Sequence, residues 1–138
     1  MTTSVPSMST RSPLLRRTLQ LDGALCLMGG VALAATASQV APIIGIAAPL
    51  ALGLVGVVLV VYAALLVAAA RQDPIDRRLA IVTLTIDLLW IAGSAILLVR
   101  NVQPLTGGGW WLILGLALGV GGIAELKLWG LWQSRQTG

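Results

Sequence analysis

The sequence contains few charged residues and no histidine. Only 10% of its 138 residues are charged and 57% are hydrophobic, whereas a soluble domain has about 25% charged residues. Because so little charge cannot coat a water-exposed surface, the composition predicts a membrane protein. The chain contains no histidine, which excludes bis-histidine haem ligation, histidine metal sites and histidine general-base chemistry.

Cysteine is almost absent as well. Cys26 is the only one, so neither an intrachain disulfide nor an exchange enzyme with its own cysteine pair is possible. The simplest role for Cys26 is that of a small hydrophobic side chain. Since no nucleophile stands with a general base, we predict a protein that is not an enzyme, with no catalytic residue, no metal site and no cofactor.

Four long apolar runs are what the sequence does contain. Each is close to the ~20 residues that cross the hydrocarbon core of a bilayer. Their short connections predict that sequential helices are antiparallel neighbours. The predicted fold class is therefore an all-α membrane protein, an antiparallel four-transmembrane-helix bundle that forms one domain over residues 14–133, with spans at about 19–38, 50–70, 79–99 and 110–132.

The segments between and outside these runs are polar or rich in Gly and Pro. Residues 1–13 are predicted to form a disordered cytoplasmic tail, and residues 134–138 are predicted to form a second, short cytoplasmic tail. We expect outer connections at 39–47 and 100–109 and an aqueous loop at 71–78. A signal peptide cleaved near residue 37 is the alternative for the first run. Asp22, inside its apolar core, argues against that alternative.

The basic residues predict the orientation. The net charge of +4 could suggest nucleic acid, but the basic residues cluster at the ends of apolar runs, which is typical of membrane topology. We therefore expect no nucleic-acid partner. With both termini inside, only Arg100 is outside, and eight basic residues lie on or near the cytoplasmic side: Arg11, Arg16, Arg17, Arg71, Arg77, Arg78, Lys127 and Arg135. This predicts an N-in/C-in protein of a bacterial cytoplasmic (inner) membrane, with the lipid bilayer as its partner.

Polar side chains inside the apolar runs are the candidate functional residues. Thr83, Asp87, Trp90 and Ser94 are spaced to share one helix face. Counted at 1.5 Å per residue, Asp87 lies roughly 8–15 Å inside the cytoplasmic flank, as do the polar residues of the other three spans. The sequence therefore predicts a layer to which every helix contributes, with the candidate pocket Asp22, Tyr62, Asp87, Trp90, Ser94 and Glu125.

Charge balance within this layer predicts either a water-filled pocket or a protonated acid, since charges are costly inside a bilayer. We expect the proton on Asp87, with Thr83, Ser94 and Tyr62 as possible hydrogen-bond partners. Lys127 points away from Glu125 on the same helix, and we expect it to extend toward the inner interface.

Each of these residues also has a purely structural explanation. Asp22 suits an interfacial acid, and Asp87 suits an acid that ties helices together. Glu125 could pair with an arginine of the 71–78 loop. Tyr62 and Trp90 could be packing residues. Glycines in the fourth span predict close helix packing: Gly115, Gly119, Gly121 and Gly122.

Several short motifs carry a resemblance. They are RRTLQLDG at 16–23, YAA at 62–64, DLLWIAGS at 87–94, PLTGG at 104–108 and AELKLWGL at 124–131. In this order they resemble a family of uncharacterised small bacterial four-helix integral membrane proteins, from about residue 14 onward. The resemblance implies the topology and supplies no reaction. That family typically has Asn where this chain has Asp87 and Gln where it has Lys127.

Two functions remain open from the sequence. The first is a small scaffold or accessory subunit of a membrane complex, whose partners would be other membrane subunits or further copies of the chain. The alternative is binding or proton-coupled transport of a small amphiphile or cation through a cytoplasm-facing acidic pocket.

Overall fold

Four long helices account for nearly all of the residues that the structure describes. The computed structural model describes residues 9–10, 12–100 and 104–136. Within them the helices are α1 (Pro13–Ile44), α2 (Pro49–Arg71), α3 (Arg77–Arg100) and α4 (Gly107–Gln136). Each is long and apolar enough to cross a membrane, which confirms the predicted number and type of elements.

Helix α1 is longer than the predicted first span. Ser12 caps its start, where its hydroxyl accepts a hydrogen bond from the Leu15 N–H at 3.3 Å, and Pro13 occupies the first turn, a position where proline is favoured. The helix continues through Pro42 and ends at Gly45, whose φ of 91° is left-handed. The predicted outer connection at 39–47 is thus helical as far as residue 44.

Helix α4 also begins earlier than predicted. The Thr106 hydroxyl accepts a hydrogen bond from the Gly109 N–H at 3.0 Å, as an N-terminal cap does. The same hydroxyl donates to the Ile43 carbonyl at 2.6 Å. The glycine triplet therefore forms the first turn of α4 rather than the predicted loop. Its close approach to α1 requires glycine, since a Cβ at Gly109 would overlap the Ile44 carbonyl.

A short strand pair includes part of the N-terminal segment that was predicted to be disordered. β1 (Ser9–Thr10) pairs antiparallel with β2 (Ile75–Asp76), with Ser9 opposite Asp76. Residues 9–10 are thus paired where a disordered tail was predicted, and residues 1–8 and 11 of that tail lie outside the described residues. The 71–78 loop is not wholly aqueous either, because Ile75 is fully buried in the core.

The helices pack in the spatial order α2, α1, α4, α3. α1 contacts both α2 and α4 extensively, and α4 also packs on α3. α2 and α3, although consecutive, make few contacts with each other. The consequence is a gap between α2 and α3, beside which the polar residues of the bundle lie.

Candidate functional site: a buried ion cluster beside an open groove

A lysine lies at the centre of the polar cluster. Lys127 of α4 is fully buried, and Asp22 of α1 and Asp87 of α3 are each only 3% exposed. The Lys127 ammonium donates to Oδ2 of Asp22 and to Oδ2 of Asp87. One cation therefore joins two carboxylates from two other helices.

Helix α2 supplies the fourth member. The Tyr62 hydroxyl oxygen is 2.8 Å from Oδ1 of Asp87 and 2.9 Å from the Thr83 carbonyl oxygen. The Tyr62 ring also faces Lys127, with the ammonium 5.9 Å from the ring centroid, which is within the range of a cation–π contact. All four helices thus meet at this cluster.

The second oxygen of Asp22 has the weakest partner in the cluster. Oδ1 accepts from the Cys26 thiol at 3.5 Å, and a thiol is a weak donor. In contrast, both oxygens of Asp87 have strong hydrogen-bond partners, Tyr62 and Lys127. The least satisfied acceptor therefore lies beside Cys26, at the wall of the adjacent cavity.

That cavity occupies the gap between α2 and α3. Its volume is about 390 Å³, which is in the size range of small-molecule sites. Apolar side chains form its walls, and the acids and Tyr62 form its polar part. The lining residues are Asp22, Cys26, Val58, Leu59, Val61, Tyr62, Leu65, Ile86, Asp87, Trp90 and Val120.

The groove is open on the side that faces away from the helix bundle. Val58 and Val61 on α2 are 65% and 66% exposed, and Trp90 on α3 is 37% exposed. In a bilayer, outward-facing apolar side chains such as these contact lipid chains. We call this feature, the cavity with its exposed rim of Val58, Val61 and Trp90, the α2–α3 groove.

Four of the six predicted pocket residues line the groove, and two do not. Asp22, Tyr62, Asp87 and Trp90 line it together. Ser94 is half-buried one turn beyond Trp90 and is not part of the lining. Glu125 is exposed, and no ion pair within 12–100 and 104–136 involves it. The alternative explanation of Glu125, pairing with an arginine of the 71–78 loop, is not observed among these residues either.

Lys127 takes the place that the sequence suggested for Glu125. Lys127 and Glu125 point to opposite sides of α4, so only one of them can face the cluster. Asp22 of α1 and Asp87 of α3 attract the Lys127 ammonium toward the interior of the bundle. Lys127 therefore does not extend to the membrane interface. The signal in the sequence was the charge count, because three membrane acids were accompanied by a single lysine that could neutralise them.

Two hydrogen-bond expectations for Asp87 are also changed. The Thr83 hydroxyl donates to the Ala80 carbonyl at 2.9 Å, so only its backbone carbonyl takes part, through Tyr62. Ser94 is not among the hydrogen-bond partners of Asp87 that the described residues show. Tyr62 is the partner of Asp87 that the structure does show.

Of the four α4 glycines that were expected to pack closely, only Gly121 approaches another side chain, since its Cβ position is 4.0 Å from Ile91. Gly115, Gly119 and Gly122 have no atom within 4 Å of the place where a Cβ would stand. Close glycine contacts lie instead at Gly109, against α1, and between α1 and α2, where a Cβ at Gly30 would be 2.7 Å from the Gly56 carbonyl oxygen.

Among the described residues, no three His, Cys, Asp or Glu side chains are grouped so that they could hold a metal ion. Comparisons with protein-family models, with curated proteins and with solved structures gave no match to this chain.

Proposed function

We propose that this chain is a multi-pass membrane protein that binds a small amphiphilic cation in the α2–α3 groove. The observation that supports this most is the ion cluster at the polar side of the groove. If both acids are ionised, two carboxylates face one ammonium and the cluster has one excess negative charge. A second cation is the ligand that balances this charge when both acids are ionised.

The walls of the groove favour a ligand with an apolar body. Val58, Val61 and Ile86 offer aliphatic surface, while Tyr62 and Trp90 offer aromatic faces. Aromatic faces next to a carboxylate suit quaternary ammonium groups. Because the rim is exposed along the helices, such a ligand would enter from the hydrocarbon region of the bilayer, between α2 and α3.

The orientation belongs to the same proposal. We place both termini in the cytoplasm of a bacterium and the chain in its inner membrane, on the distribution of basic residues. With Lys127 buried in the cluster, seven basic residues of the original eight support this side: Arg11, Arg16, Arg17, Arg71, Arg77, Arg78 and Arg135.

A scaffold or accessory role is the second candidate. Its support is the open glycine face of α4, where Gly115, Gly119 and Gly122 would allow another helix to approach closely. Crosslinking and native mass spectrometry of detergent extracts test it. A monomer without any co-purifying protein would speak against this role.

Binding of benzyltrimethylammonium to the purified protein tests the main proposal. Its uncharged isostere, neopentylbenzene, has the same shape without the charge. We expect saturable binding of the cation, weakened at least about tenfold by D22N, which corresponds to about 1.4 kcal/mol. E125Q makes the same chemical change at an exposed acid outside the groove and should bind like the wild type.

The uncharged isostere separates the two contributions of the groove. Its binding should depend on the apolar walls and remain the same in D22N and in the wild type. If D22N binds the cation as tightly as E125Q does, the acid cluster is not the site and the proposal fails.

A further inference from the structure

We infer that Asp87 holds one proton while the groove is empty, and that an entering cation releases this proton to water. This inference rests on the proposed function and specifies what the site exchanges for its ligand. It follows from the charge count, from the short contacts of Tyr62 and from the connection of the groove to both acids.

The net charge of the cluster depends on every titratable side chain around it. α1 contributes Asp22 and Cys26, α2 contributes Tyr62, α3 contributes Asp87, and α4 contributes Lys127. With the thiol and the phenol neutral, two carboxylates and one ammonium leave a charge of −1. An uncompensated charge buried inside a membrane helix bundle is costly, and one bound proton removes it.

The contacts of Tyr62 indicate where that proton lies. Its hydroxyl oxygen is 2.8 Å from Oδ1 of Asp87 and 2.9 Å from the Thr83 carbonyl oxygen. Both distances are those of good hydrogen bonds, but a phenol has only one hydrogen to donate. Both bonds form together when a protonated Asp87 donates to Tyr62 and Tyr62 donates to the Thr83 carbonyl.

Asp22 then remains the permanent partner of Lys127. In the empty state the Asp22 carboxylate and the Lys127 ammonium form a neutral pair, and Oδ2 of the protonated Asp87 still accepts from Lys127. Every polar atom of the cluster keeps a partner in this arrangement, and the net charge is zero.

Cation entry reverses this state in one balanced step. The O–H bond of Asp87 breaks and the proton passes to water. The Tyr62 hydroxyl turns from the Thr83 carbonyl to the new carboxylate, and the cluster charge of −1 is balanced by the bound cation. One proton is therefore exchanged for each monovalent cation.

Calorimetry with benzyltrimethylammonium counts this proton directly. The ligand has no titratable proton, so titrations in two buffers of different ionisation enthalpy report protons released by the protein. We expect about one proton per bound cation in the wild type and in E125Q. D22N leaves the neutral Asp87–Lys127 pair, which has no proton to release. Its residual binding should therefore release none.

Infrared spectroscopy of the protein without ligand tests the proton independently of binding. We expect a protonated-carboxyl band that is present in the wild type and E125Q and absent in both D22N and D87N. Y62F should keep the band but shift its frequency, because Asp87 loses its acceptor. An acid with only a structural role would not give this combination.

The outcomes separate the two claims. Cation binding without proton release overturns the inference and leaves the proposed function intact. No specific cation binding overturns the proposed function, and the infrared band then decides whether Asp87 is protonated. A missing band, or a band that Y62F does not shift, also overturns the inference.

Discussion

The two sides of α2 are packed in opposite ways. Toward α1, backbones touch: a Cβ at Gly56 would be 2.5 Å from the Ala34 nitrogen and 2.7 Å from the Gly30 carbonyl oxygen. Toward α3, valines and a tryptophan leave a cavity of about 390 Å³. We call these the closed interface (α1–α2) and the open interface (α2–α3).

The difference shows what holds α3 in place. In a bilayer, helices associate through close packing and hydrogen bonds rather than through the hydrophobic effect. The closed interface has the close packing. The open interface lacks close packing and has the hydrogen bond between Tyr62 and Asp87 instead. Lys127 joins α3 to α1 because it pairs with both Asp87 and Asp22. The polar cluster is thus both the candidate site and, besides the packing of α3 on α4, a connection that keeps α3 in the bundle.

Removing the shared cation should have the largest effect. K127A leaves the buried Asp22 carboxylate without its counter-ion and Asp87 without its Lys127 hydrogen bond, and breaking a buried ion pair in this way costs about 3–5 kcal/mol. We expect that loss in the free energy of unfolding, measured in detergent. The triple variant D22N/D87N/K127M has no charge left in the cluster and should recover most of it. K127A with wild-type stability would refute the connecting role of the lysine.

Filling the closed interface should come next. G56V places a branched side chain against the backbone of α1, and overpacking of this kind costs about 1–3 kcal/mol. G119V is the matched control, because a Cβ at Gly119 meets nothing within 4 Å, and it should change stability by less than about 0.5 kcal/mol. Equal effects of the two variants would show that the closed interface is not specially tight.

The smallest expected effect lies at the open interface. Y62F removes the Tyr62 hydroxyl, whose contacts with Asp87 and with the Thr83 carbonyl are the only side-chain hydrogen bonds between α2 and α3 among the described residues. Interhelical hydrogen bonds in membranes contribute about 0.6 kcal/mol on average, so thermal unfolding in detergent should show a small destabilisation. A loss as large as that of K127A would mean that Tyr62, rather than the lysine, holds α3.

Much of the site was predictable from spacing and depth. Asp22, Tyr62 and Asp87 were placed in one layer because each lies at a similar depth in its own span. Helix periodicity also showed that Glu125 and Lys127 point to opposite sides of α4. It could not show which of them faces inward, because that depends on the charges presented by the other helices.

The packing of the helices was less predictable. Glycine spacing indicates that a helix can be approached closely, but it does not identify the neighbour, so the α4 glycines were expected to pack and the Gly30–Gly56 contact was missed. The weak contact between α2 and α3 was missed for a related reason. A short connection brings two helices near each other and does not determine how well their side chains fit.

A protein whose only tryptophan is Trp90 tests the central claim most directly. Trp90 lines the open interface, and the other four tryptophans can be replaced by Phe: Trp110, Trp111, Trp129 and Trp132. In bilayers with brominated acyl chains, we expect quenching of Trp90 fluorescence that benzyltrimethylammonium partly relieves, with no relief in the D22N version. Quenching that the cation leaves unchanged, or relieves equally in D22N, would contradict a cation site between α2 and α3.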